Sequence, residues 1–161
     1  MKTLNGSILI ALLFFPVFIY AQDKKVALSP KTNVIMDKKV INTVKAPEAI
    51  GPYSQGIVAG NLLFTSGQLP INPATGVVAH TIEEQTVQVL DNLKAIVEAA
   101  GSTLEKVVKC TVYLQNMSDF AVVNKIYATY FPNNPPARVC VEVSKMAKNA
   151  LVEIDAIAVL N

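Results

Sequence analysis

The sequence predicts an α+β fold, in which two helices cover one face of a mixed or antiparallel sheet. Two observations lead to this prediction. Six segments have the alternation or the β-branched content of strands, and two segments between them have helical periodicity. The chain has 161 residues, of which 52% are hydrophobic and 16% charged, so it is long enough for one compact domain with its own core.

The first strands are predicted near the start of the domain. Residues 40–44 have strand composition, and residues 57–59 and 62–65 flank Gly60-Asn61, a turn-forming pair. This arrangement predicts an opening hairpin. The remaining strands are predicted over residues 108–114, 138–144 and 151–160.

Caps and apolar spacing predict both helices. Thr81 and Glu84 form a capping box for the first helix, and Gly101 ends it. Its apolar side is formed by Leu90, Leu93, Val97 and Ala100. The second helix is predicted to be capped by Ser118-Asp119 and to end before Pro132. Its apolar side comprises Phe120, Val123, Tyr127 and either Tyr130 or Phe131.

Residues 1–21 have the pattern of a signal peptide, with Lys2, an apolar run from Ile8 to Tyr20, and Ala21 at a cleavage point. A membrane-spanning helix needs about 20 residues, and this apolar run is shorter, so a retained membrane anchor is the weaker alternative. Residues 22–37 are predicted to be a polar spacer and residues 38–161 the folded domain. We therefore expect an exported protein, periplasmic or extracellular, with no membrane association after cleavage.

Composition disfavours several classes of function. The formal net charge is +2 and no stripe of Lys or Arg stands out, so we expect no nucleic-acid partner. One His and two Cys are too few for the usual four-ligand zinc site, and we expect no metal. His80 is predicted to be solvated in a polar loop, which disfavours a Ser-His-Asp or Cys-His site. Cys110 and Cys140 are expected to be free thiols.

Side-chain alternation predicts which residues of the last two strands share a face. In the first of these strands we expect Val139, Val141 and Val143 to face the helices, and Arg138, Cys140 and Glu142 to point away. In the last strand Val152, Ile154, Ala156 and Ala158 should face the helices. The opposite side would then carry Glu153 together with apolar groups such as Ile157 and Val159. Self-association is the simplest way to cover such a face.

Arg138 and Glu153 are the leading candidates for chemistry. Arg138 follows the restricted segment 135–137, which would hold its guanidinium in a defined direction for a carboxylate. The alternative is an exposed arginine paired with Glu142. Glu153 is predicted to lie on the same side as Arg138, where it could orient or deprotonate a water molecule. Its alternative is a solvated strand residue.

Four further positions could line a pocket. Tyr53 lies in a loop, and Ser66 with Gly67 lies at a bend, so both places could also serve only to turn the chain. Asn124 falls within the second helix, where an outward position is the alternative. No His, cluster of Lys or helix N-terminus is evident near Cys140 that would depress the pKa of its thiol, so its main chain is favoured over its sulfur.

Several motifs occur together in one order: Ala49-Ile50-Gly51-Pro52-Tyr53-Ser54-Gln55-Gly56, Thr65-Ser66-Gly67-Gln68, Asp91-Asn92-Leu93, Pro136-Ala137-Arg138-Val139-Cys140-Val141-Glu142-Val143 and Val152-Glu153-Ile154-Asp155-Ala156. Through them, residues 38–160 closely resemble the Rid (YjgF) family, in particular its RidA subgroup of 2-iminobutanoate/2-iminopropanoate deaminases. The resemblance implies a chorismate-mutase-like fold, a homotrimer with sites between subunits, and no cofactor.

The resemblance also implies roles for single residues. Arg138 would be the carboxylate-binding arginine that separates imine deaminases from relatives without it. Arg138, Glu153 and Cys140 would be catalytic, with the Cys140 carbonyl holding the imine nitrogen or the water. Substrate binding would involve Tyr53, Ser66, Gly67, Asn124 and Arg138. The alternatives are a non-catalytic protein that binds small carboxylates, an interaction protein with chaperone-like behaviour and, less favoured, a single-stranded RNA endoribonuclease.

Overall fold

The computed structural model describes residues 37–160, which form one six-stranded mixed sheet and two α-helices. The strands are β1 (Lys38–Ile41), β2 (Gly56–Ala59), β3 (Leu62–Thr65), β4 (Val107–Leu114), β5 (Ala137–Glu142) and β6 (Val152–Val159). The helices are α1 (Ile82–Ala99) and α2 (Phe120–Tyr130). In the sheet of residues 37–160 the order is β1-β2-β3-β6-β4-β5, and only β4 and β5 pair in parallel. The predicted α+β class is confirmed.

The predicted hairpin is formed by β2 and β3, with Gly60 at a positive φ of 62° in the turn. β1 covers residues 38–41 and so ends earlier than predicted. The N–H of Thr43 donates to Oε1 of the buried Gln55 side chain at 2.6 Å, and Gln55 Nε2 donates to the carbonyls of Thr43, Ala46 and Pro47. These bonds hold the chain after residue 41 as a loop instead of a strand.

Helix α1 begins as predicted, with both hydrogen bonds of the capping box formed between Thr81 and Glu84. It is followed by Gly101 at a φ of 85°, a left-handed conformation that glycine adopts without strain. Leu90, Leu93 and Ile96 on its inner side are fully buried against the sheet. Each such side chain contributes about 2 kcal/mol through removal of apolar surface from water.

The start of α2 differs from the prediction. Asn116, instead of Ser118 or Asp119, provides the capping side chain: its Oδ1 accepts from the N–H of Ser118 at 2.9 Å. A 3₁₀ turn over Met117–Asp119 then leads into α2. Asn116 has extended backbone angles, which the capping position requires, whereas Asp119 is already helical.

Alternation in β6 is as predicted, because Val152, Ile154, Ala156 and Ala158 are buried under the helices. In β5 the prediction for the valines is wrong. Val139 and Val141 lie on the open face and are 47% and 38% exposed. The register with β4 explains the difference, since Arg138 pairs with Cys110 and Cys140 with Val112, both fully buried on the helix side. Arg138 and Cys140 therefore face the helices.

The open face of the sheet keeps apolar side chains, as expected. Val40, Ile57, Phe64 and Ile157 lie in register across four neighbouring strands. Phe64 is 41% exposed there. An apolar row of this kind suits contact with another protein surface.

The predicted signal peptide and residues 22–36 of the predicted spacer lie outside the described residues. Within residues 37–160, no helix has the length and apolar character needed to cross a membrane.

Candidate functional site

Arg138 lies at the start of β5, directly after the segment that carries Pro135 and Pro136. Its Nη2 donates to Asn124 Oδ1 of α2 at 2.7 Å. The guanidinium carbon lies 4.6 Å from the ring centroid of Tyr127 and 5.7 Å from that of Phe120. Stacking on aromatic rings fixes the plane of a guanidinium and stabilises its charge. Helix α2 thus holds Arg138 in one orientation.

The predicted alternative partner of Arg138 is engaged elsewhere, because Glu142 Oε2 accepts from the N–H of Met117 at 2.7 Å. A shallow cavity of about 260 Å³ opens beside the guanidinium instead. Its lining comprises Asn124, Tyr127, Ala128, Phe131, Pro135, Pro136 and Arg138. The arginine is therefore presented to a space of small-molecule size.

The main chain of Cys140 points to the free edge of the sheet. β5 is an edge strand in the sheet of residues 37–160, and the N–H of Val143 donates to Leu114 O of β4 at 2.9 Å. N–H and C=O groups alternate in direction along a strand, so those of Cys140 point away from β4. They lie on the same edge as the backbone groups of Arg138. This geometry suits the predicted role of the Cys140 carbonyl as a hydrogen-bond acceptor.

Burial raises the pKa of the Cys140 thiol, and the nearby charge of Arg138 opposes this shift. Burial likewise raises the pKa of the Cys110 thiol, although a contact with Tyr127 opposes the shift. Both thiols are free and protonated at neutral pH. A thiolate nucleophile at Cys140 is thus disfavoured.

Glu153 lies on the open face of β6, opposite Tyr113 of β4. Burial raises the pKa of its carboxyl, and the charge of Asp155 raises it further. Gly67 approaches so closely that a Cβ there would clash with the Glu153 carboxylate, with 2.8 Å to Cδ. A cavity of about 300 Å³ opens at this point, lined by Gly67, Tyr113, Val143, Lys145, Met146, Ala147, Glu153 and Asp155.

Hydrogen bonds connect Ser66 with the loop that carries Tyr53. Ser66 Oγ donates to the carbonyl of Ser54 at 2.6 Å, and its N–H donates to the carbonyl of Gln55 at 3.0 Å. The Tyr53 hydroxyl accepts from the N–H of Ile50 at 3.2 Å. As a result Tyr53 and Gly67 line one small cavity.

The predicted site residues therefore form two groups. The arginine half-site contains Arg138, Asn124 and Cys140, and the glutamate half-site contains Glu153, Gly67, Ser66 and Tyr53. The prediction that Arg138 and Glu153 share a side is wrong, because they point to opposite faces of the sheet. They are also two strands and three residues apart, which is about 14 Å between Cα atoms.

Four neighbours of these residues were not predicted as site residues. Tyr127 and Phe120 stack on Arg138, and Tyr113 and Asp155 adjoin Glu153. Helical spacing could have identified the first pair, because residues 120, 124 and 127 lie on one side of a helix. Alternation could have identified Asp155, two residues after Glu153.

A mixed six-stranded sheet with two helices on one face is the YjgF-type architecture, and solved structures with this fold match closely. Residues 43–160 match the family model described as Endoribonuclease L-PSP. The chain belongs to that family, which is also called YjgF or Rid.

Relatives cover most of the chain. It is 58% identical over 122 residues to a RutC family protein of Pyrococcus horikoshii, across 75% of this chain and 97% of the relative. It is 50% identical over 124 residues to the 2-iminobutanoate/2-iminopropanoate deaminase of Escherichia coli K12, with the same coverages. The crystal structure of the E. coli YjgF gene product has a TM-score of 0.73 at 49% identity, covering 76% of this chain and 99% of that one. E. coli TdcF with bound serine has a TM-score of 0.75 at 42% identity, with the same coverages.

Proposed function

We propose that the protein is a deaminase that hydrolyses reactive 2-imino acids, such as 2-iminobutanoate and 2-iminopropanoate, to 2-oxo acids and ammonia. The proposal rests mainly on the position of Arg138, which Asn124 and Tyr127 orient beside a cavity. A guanidinium has five N–H donors, so the bond to Asn124 leaves capacity for both oxygens of a carboxylate. The names of relatives at about 50% identity support the same activity.

A complete site in this proposal needs two copies of the chain. Arg138 and Glu153 point to opposite faces of one sheet, so one substrate cannot contact both within a single protomer. The exposed apolar row around Phe64 and the exposed valines of β5 offer surfaces for association. A homotrimer with three equivalent clefts would bring the arginine half-site of one copy to the glutamate half-site of the next.

The half-sites divide the chemistry between them. Arg138 binds the substrate carboxylate, and the edge carbonyl of Cys140 accepts a hydrogen bond from the imine nitrogen or from water. Glu153 accepts a proton from the water that attacks the C=N carbon. A protonated imine is itself a strong electrophile, so the proposed reaction uses no cofactor and no metal. Tyr53, Ser66 and Gly67 shape the wall of the site.

The proposed compartment follows from the N-terminal sequence pattern. We place the mature protein outside the cytoplasm, in the periplasm or the extracellular space, after cleavage following Ala21. Mass spectrometry of the N-terminus of protein recovered from cell fractions tests this proposal. An uncleaved chain in the cytoplasmic fraction contradicts it.

The activity is tested with freshly generated 2-iminobutanoate, by following 2-oxobutanoate above the spontaneous rate. Arg138→Ala should lower kcat/KM by about 10²-fold or more, because it removes a charge-assisted carboxylate contact. Lys125→Ala is the matched control, since it removes an exposed cation from α2 next to Asn124. An Arg138→Ala rate equal to that of the wild type overturns the proposal.

A second candidate is a non-catalytic protein that binds small carboxylates. The related TdcF structure with bound serine favours it, because that ligand carries a carboxylate. Calorimetry with 2-oxobutanoate distinguishes the two functions. Binding that depends on Arg138, without acceleration of imine decay, supports the second candidate.

Degradation of single-stranded RNA with a strong salt dependence would instead support the nuclease that the family description names.

A further inference from the structure

Glu153 has an acidic neighbour that is itself held in place. Asp155 lies two residues further along β6, on the same face of the sheet as Glu153. The hydroxyl of Tyr113 donates to Asp155 Oδ2 at 3.1 Å, and Tyr113 stands directly opposite Glu153 in the register. All three side chains line the cavity of about 300 Å³ next to Gly67.

We propose that Asp155, held by the hydroxyl of Tyr113, is a positioning residue that keeps Glu153 able to take up and return protons during imine hydrolysis. This inference rests on the proposed function. Asp155 acts through Glu153 and needs no contact with the substrate. Its carboxylate, held by that hydrogen bond, places a negative charge on the same face of the sheet as the group that handles the attacking water.

The electrostatics of the cavity support this role. Burial and the charge of Asp155 both raise the pKa of Glu153 towards the working pH, where a carboxyl group both accepts and releases protons. Burial, followed by the charge of Asp155, also raises the pKa of the Tyr113 phenol, so its hydroxyl stays protonated and remains a donor.

Two lysines belong to the same surroundings. Lys145, in the segment after β5, lines the cavity. Lys109 lies on the open face of β4, and its Nζ donates to the carbonyl of Cys110 at 2.9 Å. Even so, burial is the largest cause of the raised pKa of Glu153, and the charge of Asp155 is the next largest.

The reaction requires a carboxyl that exchanges protons repeatedly. Water forms the C–O bond while the C=N electron pair moves to nitrogen, and one water proton passes through Glu153 to that nitrogen. Because the imine began protonated, the nitrogen of the resulting carbinolamine is an ammonium group, and the hydroxyl proton passes to Glu153, which later releases it to ammonia or solvent. The C–N bond then breaks, C=O forms, and ammonia leaves with the electron pair. A carboxyl of ordinary acidity would return these protons less readily at neutral pH.

The test compares Asp155→Asn with the wild type in two measurements. The first is the pH profile of kcat/KM for 2-iminobutanoate. The second is the titration of Glu153 in the protein without substrate, followed by NMR of glutamate labelled at the side-chain carboxyl carbon. Removal of the neighbouring negative charge should move the acid limb and the Glu153 titration to lower pH together. KM should stay within about twofold, because Arg138 is untouched.

Tyr113→Phe is the second variant. It leaves Asp155 in place but frees its carboxylate to turn towards water, so the displacement should have the same sign and a smaller size. Asp91→Asn is the matched control, because Asp91 Oδ1 accepts from the Tyr130 hydroxyl at 2.8 Å in a similar pair on the helix layer. The control should leave both measurements unchanged.

The outcomes separate the two proposals. If the wild type does not accelerate imine hydrolysis, the proposed function fails, and the NMR titration still reports whether Asp155 acts on Glu153. If the acid limb and the Glu153 titration stay at their wild-type positions in Asp155→Asn, the role of Asp155 is overturned even when the deaminase activity is present.

Discussion

The two faces of the sheet are built on different principles. The helix-covered face buries an apolar layer in which Leu93, Val112 and Ile154 are fully inaccessible, with Arg138 at its edge under α2. The open face mixes half-buried carboxyls with exposed groups such as Phe64. One face is complete within a single chain, whereas the other has the composition of a contact surface.

This difference shows why each face holds only part of the proposed site. On the covered face, packing against α2 fixes the direction of a charged group. On the open face, partial burial and a like charge raise the pKa of Glu153. Orientation and proton exchange need different surroundings, and the sheet keeps these surroundings apart.

Subunit complementation should show the largest effect, because it tests whether the two halves of the site come from different copies of the chain. Arg138→Ala and Glu153→Gln should each be nearly inactive alone. When the two variants are unfolded together and refolded at equal concentrations, about one quarter of the clefts should pair an intact arginine with an intact glutamate if assembly is random. Activity should therefore return to about that fraction of the wild-type value. Mixed variants with no more activity than either alone would show that both residues act within one protomer.

A large effect is expected from Gly67→Ala. The added methyl group would occupy the position of the Glu153 carboxylate, which must turn away. We expect kcat to fall by about 10²-fold, the size of a lost general base, with little change in thermal stability because a flexible side chain yields. Gly76→Ala is no suitable control because Gly76 has a positive φ of 70°. Ala74→Gly, in the same exposed loop, provides one. Normal activity in Gly67→Ala would remove Glu153 from the mechanism.

A smaller effect is expected from Tyr127→Leu, which removes the ring under the guanidinium but keeps an apolar side chain. Loss of a partly desolvated cation–π contact costs about 1 to 2 kcal/mol, so KM should rise by about tenfold while kcat changes less. Tyr127→Phe is the matched control because it keeps the ring. Equal effects of the two variants on KM would show that the hydroxyl, and not the ring, supports Arg138.

Local rules in the sequence predict most elements of the fold. The capping box of Thr81 and Glu84 and the turn at Gly60 involve neighbours in the chain, so sequence spacing is enough to find them. The direction of the Arg138 side chain depends on the register between β4 and β5. These two strands are separated by α2 in the sequence. Alternation identifies which residues of β5 share a face but not which face meets the helices. The valines of β5 therefore misled the prediction.

The opposite directions of Arg138 and Glu153 have a consequence for how the proposed activity depends on concentration. Each chain would supply the arginine half-site of one cleft and the glutamate half-site of another. The number of working clefts would therefore follow the association equilibrium. On dilution the rate per chain would then fall as the oligomers dissociate, whereas it would stay constant if each chain held a complete site. An isolated, fully folded chain would contain every residue of the site and still be inactive.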